Sequence, residues 1–95
     1  MNINFNQIIK DIYGGEVKDL TLQKVSVDAL LATFEDERIL SGEEKAKRWL
    51  IATRIVANPE DIDLETQDIA LIKKLIGKGY SPLIVGRAWE MLEGK

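Results

Sequence analysis

The sequence predicts a mainly α-helical domain, a small α+β fold in which an N-terminal β-hairpin packs on four helices that end in an αα-hairpin. Apolar residues recur at helical spacing over most of residues 21–93. Capping residues stand before several of these helical stretches. Within residues 1–20, the start of the chain alternates instead with the period of a strand, and a Gly-Gly pair follows. The length of 95 residues predicts one domain that spans 1–95.

Composition excludes several kinds of site. The chain contains neither cysteine nor histidine, so disulfides, thiolate zinc sites and serine–histidine or cysteine–histidine catalytic units are excluded. A net charge of −3 disfavours a duplex-binding domain, which needs a basic footprint. No window is apolar enough to span a membrane, and the N-terminus lacks the pattern of a signal peptide. We therefore expect a cytoplasmic protein without a membrane contact, a cofactor or a small-molecule substrate.

The N-terminal segment of residues 1–20 carries the strand pattern. Ile3 and Phe5 alternate with asparagines, which is the period of a half-buried strand. Gly14 and Gly15 separate two β-forming stretches and favour a two-residue hairpin loop, because both glycines can adopt positive φ. The alternative is a short helix that starts at Asn6 and uses the isoleucines that follow it. The hairpin is the favoured interpretation.

The first two helices are delimited by capping residues. Thr21 is expected to cap a helix over 22–34, and the acidic residues 35–37 then belong to the connecting loop. Ser41 opens a capping box with the glutamate three residues later. The second helix should end near Ala57, because the proline two residues later restricts the residue before it. The expected buried face of this helix comprises Ala46, Trp49, Leu50, Thr53, Val56 and Ala57.

The last two helices form the predicted αα-hairpin. The third helix is expected to start at Glu65 or Thr66 and to end at a left-handed Gly77 or Gly79. Ser81 then caps the fourth helix, with proline at its first position. The buried stripe of the third helix comprises Ile69, Ile72, Leu75 and Ile76. The expected core as a whole comprises Leu30, Phe34, Trp49, Leu50, Ile69, Ile72, Leu75, Ile76, Val85, Trp89 and Leu92.

Acidic residues supply no candidate metal or catalytic site. The spacing of Asp61, Asp63 and Glu65 is similar to the start of a calcium-binding loop, but the pattern requires glycine and glutamate where this chain has Thr66 and Ile72. A solvated acidic loop is the favoured interpretation. No carboxylate lies on an expected apolar stripe, where burial would raise its pKa into the acid–base range. We therefore predict that the protein is not an enzyme.

The third and fourth helices allow a nucleic-acid hypothesis. A helix-turn-helix unit over 65–93 would place Lys73, Lys74, Lys78 and Arg87 against phosphates. The second helix of that unit carries few side chains that read base edges. An ordinary αα-hairpin with exposed lysines is therefore favoured, and nucleic-acid binding is the alternative function.

The second helix is the best candidate for an interaction surface. It is the most basic element, and isoleucines that fall off the main stripes are expected to form an exposed apolar patch. Such a patch indicates a protein partner or self-association, and leaves open which of the two. The candidate partner-binding residues are Lys47, Arg48, Ile51, Arg54, Ile55 and Ile84.

Three segments carry a likeness to known proteins. Residues 41–48, 68–78 and 82–88 read SGEEKAKR, DIALIKKLIGK and PLIVGRA. Over about residues 20–93 the chain resembles a group of short phage and prophage proteins. The resemblance implies a phage-encoded origin and a bacterial host. It implies no catalytic residues, because the group has no settled activity, and it is compatible with an assembly accessory, a regulator or an inhibitor of a host factor.

Overall fold

The computed structural model describes residues 1–37 and 39–94. Within them the fold is mainly helical with a small β component, which confirms the predicted fold class. The elements in chain order are β1 (Asn2–Ile3), β2 (Ile8–Lys10), β3 (Glu16–Thr21), α1 (Leu22–Leu31), a 3₁₀ turn (Glu35–Glu37), α2 (Gly42–Ala57), β4 (Ile62–Asp63), α3 (Thr66–Gly79) and α4 (Pro82–Leu92). No helix in the described part of the chain has the length and apolar character needed to cross a bilayer.

The N-terminal hairpin consists of β2 and β3. The two strands are antiparallel, and Ile8 lies opposite Thr21. Their connection spans residues 11–15 and is longer than the predicted Gly-Gly loop. The Asp11 Oδ1 atom accepts hydrogen bonds from the backbone N–H groups of Tyr13 and Gly15, at 2.8 and 3.0 Å. The β2–β3 pairing confirms the predicted hairpin. Its turn differs from the predicted two-residue loop, because Asp11 holds a longer loop through these two hydrogen bonds.

A second strand pair ties the N-terminus to the middle of the chain. β1 and β4 are antiparallel, with Asn2 opposite Asp63 and Ile3 opposite Ile62. Sequence reasoning placed Ile3 in the same region as the hairpin and predicted no strand before α3. The pairing joins residues about sixty positions apart, a distance at which hydrophobic periodicity carries no information.

The core is centred on α1, which packs against α2, α3 and α4, while α3 also packs against α4. Thr21 caps α1 as predicted, since its Oγ1 atom accepts from the Lys24 backbone N–H at 3.2 Å. The helix ends at Leu31, three residues before the expected limit. The largest fully buried apolar side chains are Phe5, Ile9, Leu22, Ile55, Leu64, Ile72, Leu75, Ile76, Leu92 and Val25.

Helix α2 begins and ends as predicted, but the face that it buries is not the predicted one. Ser41 Oγ accepts from the Glu44 backbone N–H at 3.1 Å, and the helix ends at Ala57. Its buried residues are Arg48, Ile51, Ala52 and Ile55. The prediction that Trp49 and Leu50 belong to the core is therefore wrong, and so is the expectation that Ile51 and Ile55 are exposed.

The physical reason is that α2 carries two apolar stripes. Positions 48, 51, 52 and 55 also follow the i, i+3, i+4, i+7 spacing of a helix face. Their one charged member, Arg48, forms an ion pair with Glu37 in the preceding 3₁₀ turn. From helical periodicity alone, a charged residue such as Arg48 is expected to face solvent. Its burial depends on the ion pair with Glu37, which the pattern of apolar residues does not reveal.

Helices α3 and α4 largely follow the prediction. The whole predicted stripe of α3 is buried, and so is Leu92 of α4. Val85 and Phe34 are only partly buried, and Trp89 is 36% exposed, so these three are not core residues. Helix α3 continues through Gly77 and ends at Gly79, one of the two predicted ends, but neither glycine has positive φ, contrary to prediction. Both glycines lie against aromatic rings, those of Trp89 and Phe34.

Candidate protein-interaction surface

The solvent-facing side of α2 is apolar. It consists of Ala46, Trp49, Leu50, Thr53, Val56 and Ala57, here called the α2 outer face. Trp49, Leu50 and Val56 are 58, 61 and 57% exposed. Helix α2 packs mainly against α1, so only one of its two apolar stripes is covered. The stripe that sequence analysis assigned to the core is therefore the main exposed apolar surface of this helix.

A groove lies between α1 and α2, beside the α2 outer face. Its volume is about 290 Å³, and we call it the α1–α2 groove. It is lined by Val27, Leu31, Trp49, Ala52, Thr53, Val56 and Ala57. Leu31 is half exposed, because its neighbour Leu30 takes the buried position. Sequence reasoning missed Val27 and Leu31, although two adjacent leucines in one helix indicate that one of them faces away from the core.

The apolar surface continues beyond the end of α1. A second hollow of about 380 Å³ shares Leu31 and Trp49 with the α1–α2 groove. Its further apolar lining is Leu30, Ala32, Phe34 and Leu40, and its polar lining is Thr33, Glu37, Lys45 and Arg48. The two hollows therefore adjoin at Leu31 and Trp49, and we call this pair of hollows the depression.

Arg48 and Glu37 form an ion pair in the polar lining of this second hollow. The Arg48 Nη1 and Nη2 atoms donate to Glu37 Oε1 and Oε2 at 2.9 and 2.6 Å. Lys78 Nζ lies 3.4 Å from Glu37 and 3.0 Å from Asp36. Hydrogen bonding from Arg48, with smaller effects of its charge and of Lys78, lowers the pKa of Glu37 to about 2. The Glu37 hydrogen bond in turn raises the pKa of Arg48.

This ion pair changes the role of a predicted site residue. Arg48 was a candidate contact for a partner, but it is buried and holds the 3₁₀ turn against α2. Its Nε atom is buried and has no hydrogen-bond partner among the described residues. Arg48 is therefore largely buried in its ion pair, although it also lines the second hollow.

The other predicted contacts divide into rim and core. Lys47 and Arg54 are exposed and flank Leu50 at helical spacing. Arg54 Nη2 donates to the Asp63 carbonyl at 2.8 Å, which holds that side chain beside the helix. Ile51 and Ile55 are buried behind α2, and Ile84 is half-buried on α4. The basic rim of the predicted surface is therefore exposed as expected, but its apolar centre consists of Trp49 and Leu50 instead of the two isoleucines.

The basic residues of the nucleic-acid alternative do not form one free face. Lys73 pairs with Glu93 at 2.9 Å and lies over the Trp89 ring. Lys78 pairs with Asp36 and Glu37. Arg87 donates to the carbonyls of Lys10 and Asp11. These three cations contact three different parts of the fold, and only Lys74 of the four has no such contact among the described residues.

The acidic residues of the α2–α3 connection are also dispersed. Asp61 accepts from Asn2, Asp63 from the N-terminal ammonium group, and Glu65 from Gln67. Within residues 1–37 and 39–94 no acidic cluster is arranged to hold a metal ion. The expectation that no carboxylate lies on an apolar stripe is wrong, because Asp68 is among the buried residues of α3.

No family model, curated protein or solved structure matches this chain. The likeness to phage proteins therefore stays a prediction from the sequence.

Proposed function

We propose that the protein is a non-enzymatic interaction module that binds a protein partner through the α2 outer face and the α1–α2 groove. One observation carries the proposal. Leu31, Trp49, Leu50 and Val56 are each at least half exposed, and they lie on adjoining parts of one surface. Contiguous exposed apolar surface is typical of protein-binding sites.

Trp49 is the expected anchor of the interface. A tryptophan side chain offers 150–250 Å², so its 58% exposure leaves roughly 90–145 Å² in water. Covering that area contributes about 2–4 kcal/mol of transfer free energy. Tryptophan is enriched among the residues that dominate binding energy, and Trp49 lies between the two hollows.

The resemblance described above supplies the proposed setting. In that setting the module is phage-encoded, acts in the cytoplasm of a bacterial host, and is an assembly accessory or a modulator of a host factor. The geometry supports only the interaction part of this proposal, and the setting depends on the likeness of residues 20–93.

The test is affinity capture from bacterial lysate with quantitative mass spectrometry. The bait proteins are the wild type, a Trp49→Ser/Leu50→Ser variant, and a control Ile12→Ser/Tyr13→Ser variant. Ile12 and Tyr13 are also exposed apolar residues, but they lie in the hairpin loop. We expect the wild type and the control to retain the same partner and the Trp49/Leu50 variant to lose it.

Circular dichroism first checks that all three baits are folded. Equal retention of every captured protein by the Trp49/Leu50 variant would contradict the proposal, because binding would then not depend on the α2 outer face.

A further inference from the structure

We infer that the partner element recognised by the α1–α2 groove is an acidic amphipathic helix. This inference rests on the proposed interaction function and specifies the chemistry of the partner. Three features support it: the shape of the depression, the hydrogen bonding of the backbone groups around it, and the charge of its rim.

The depression suits an elongated partner. Its two hollows lie side by side and share Leu31 and Trp49. Helix α2 has 16 residues and is therefore about 24 Å long, so its outer face matches the length of several helical turns. An amphipathic helix places apolar side chains in such a groove at i, i+3, i+4 and i+7.

The backbone around the depression favours a helix over a strand. A partner strand binds by adding its hydrogen bonds to an exposed sheet edge. The walls of the groove are the side chains of α1 and α2, whose backbone groups are largely bonded within the helices. A partner helix satisfies its own backbone and needs only side-chain contacts, which is what this groove offers.

The rim of the α2 outer face is positively charged. It carries Lys45, Lys47 and Arg54, while Glu43 on the same helix and Asp63 beside Arg54 are the opposing carboxylates. Lys45 and Lys47 form no ion pair in the described part of the chain, so both are available to a partner. On the α1 side, Lys24 and Asp28 form a pair at 3.5 Å and contribute no net charge.

This local charge is opposite to that of the whole chain, which is −3. A two-fold dimer built on this face would bring the same positive rim against itself, because a two-fold interface uses one patch twice. Like charges placed together across an interface are unfavourable. A partner helix with glutamate or aspartate beside its apolar stripe avoids that repulsion and pairs with Lys45 and Lys47.

The experiment uses a displayed library of helical peptides of about 18 residues, roughly 27 Å long as helices. Leucine or phenylalanine occupies the apolar stripe, and the flanking positions are randomised among Glu, Lys, Gln and Ser. The full chain is the target. We expect the selected peptides to be enriched in Glu over Lys. We expect Trp49→Ala to weaken the best of them by at least about tenfold, as loss of a binding anchor does.

Charge reversal provides the second readout. In a Lys45→Glu/Lys47→Glu variant, the selected acidic peptide should bind about tenfold more weakly. The same peptide with Lys in place of its flanking Glu should bind this variant better than it binds the wild type. The control reverses Lys10 and Lys74, which are exposed lysines outside α2, and should leave the affinity unchanged.

The outcomes separate this inference from the proposed function. Peptides that require Trp49 but show no preference for Glu overturn the acidic-helix inference and leave the interaction function standing. Failure to select any Trp49-dependent peptide also overturns the acidic-helix inference, whereas the lysate capture with the Trp49/Leu50 variant decides the interaction function separately. A concentration-dependent dimer in light scattering that Trp49→Ala abolishes would identify a second copy as the occupant and overturn the acidic helix.

Discussion

Arg48 and Glu37 are joined by two parallel hydrogen bonds, and this pair connects the buried face of α2 to the 3₁₀ turn before it. The two side chains are only 6 and 11% exposed, so both charges are largely removed from water. A buried charge needs a partner, and the Arg48 guanidinium reaches the Glu37 carboxylate only when this face of α2 is turned towards the 3₁₀ turn. It therefore acts together with Ile51 and Ile55 to determine which stripe of α2 packs on α1 and which one is left for a partner.

Removing the carboxylate of this pair should destabilise the fold. Glu37→Gln leaves the Arg48 charge buried without its counter-ion, and we expect a loss of about 3 kcal/mol in the free energy of unfolding, measured by urea denaturation at neutral pH. The matched control is Asp28→Asn, which breaks the exposed pair with Lys24 and should cost less than about 0.5 kcal/mol. Equal effects of the two substitutions would show that the buried pair has no special role.

The same pair predicts a pH dependence of stability. The pKa of Glu37 is lowered from 4.5 to about 2 in the folded protein, chiefly by the Arg48 hydrogen bond. A depressed folded pKa stabilises the protein above the unfolded pKa, and that contribution is lost as the pH falls from about 4.5 towards 2. Urea midpoints of the wild type and Glu37→Gln should therefore converge over this range. A difference that stays constant down to pH ~2 would contradict the assigned pKa.

Adjacent substitutions in α2 test the orientation of the helix. Ile55 is fully buried, whereas Val56 is 57% exposed. We expect Ile55→Ala to cost about 2–4 kcal/mol, because it leaves a cavity in the core. Val56→Ala should change the free energy of unfolding by less than about 0.5 kcal/mol. The reverse order would support the face predicted from the sequence and exclude the one observed.

Two serines that precede helices provide a matched test of capping. Ser41 Oγ accepts from the Glu44 backbone N–H, whereas Ser81 makes no side-chain cap bond at the start of α4. Ser41→Ala should therefore reduce stability by about 1 kcal/mol, as the loss of an N-cap does. Ser81→Ala should have an effect below about 0.5 kcal/mol. Equal losses, measured by thermal unfolding, would mean that Ser81 caps α4 in solution.

The sequence by itself determined the helix starts and the buried stripe of α3. Thr21 and Ser41 precede α1 and α2 as predicted, and the stripe of Ile72, Leu75 and Ile76 is buried. These features depend on side chains a few positions apart, either through a hydrogen bond to a nearby backbone N–H or through helical periodicity. The same local information identified α2 as the basic helix, but it assigned the outer stripe to the core, so it supplied only the rim of the candidate surface.

Only the tertiary structure decided which face of α2 is exposed, where β1 pairs, and which cations are free. Trp49 and Ile51 lie on different apolar stripes of one helix, and the choice between them depends on α1 and on Glu37. Lys78 is likewise engaged by Asp36, which belongs to a different segment. These contacts join residues far apart in the chain, so their energies enter only when the elements pack together, and local patterns do not contain them.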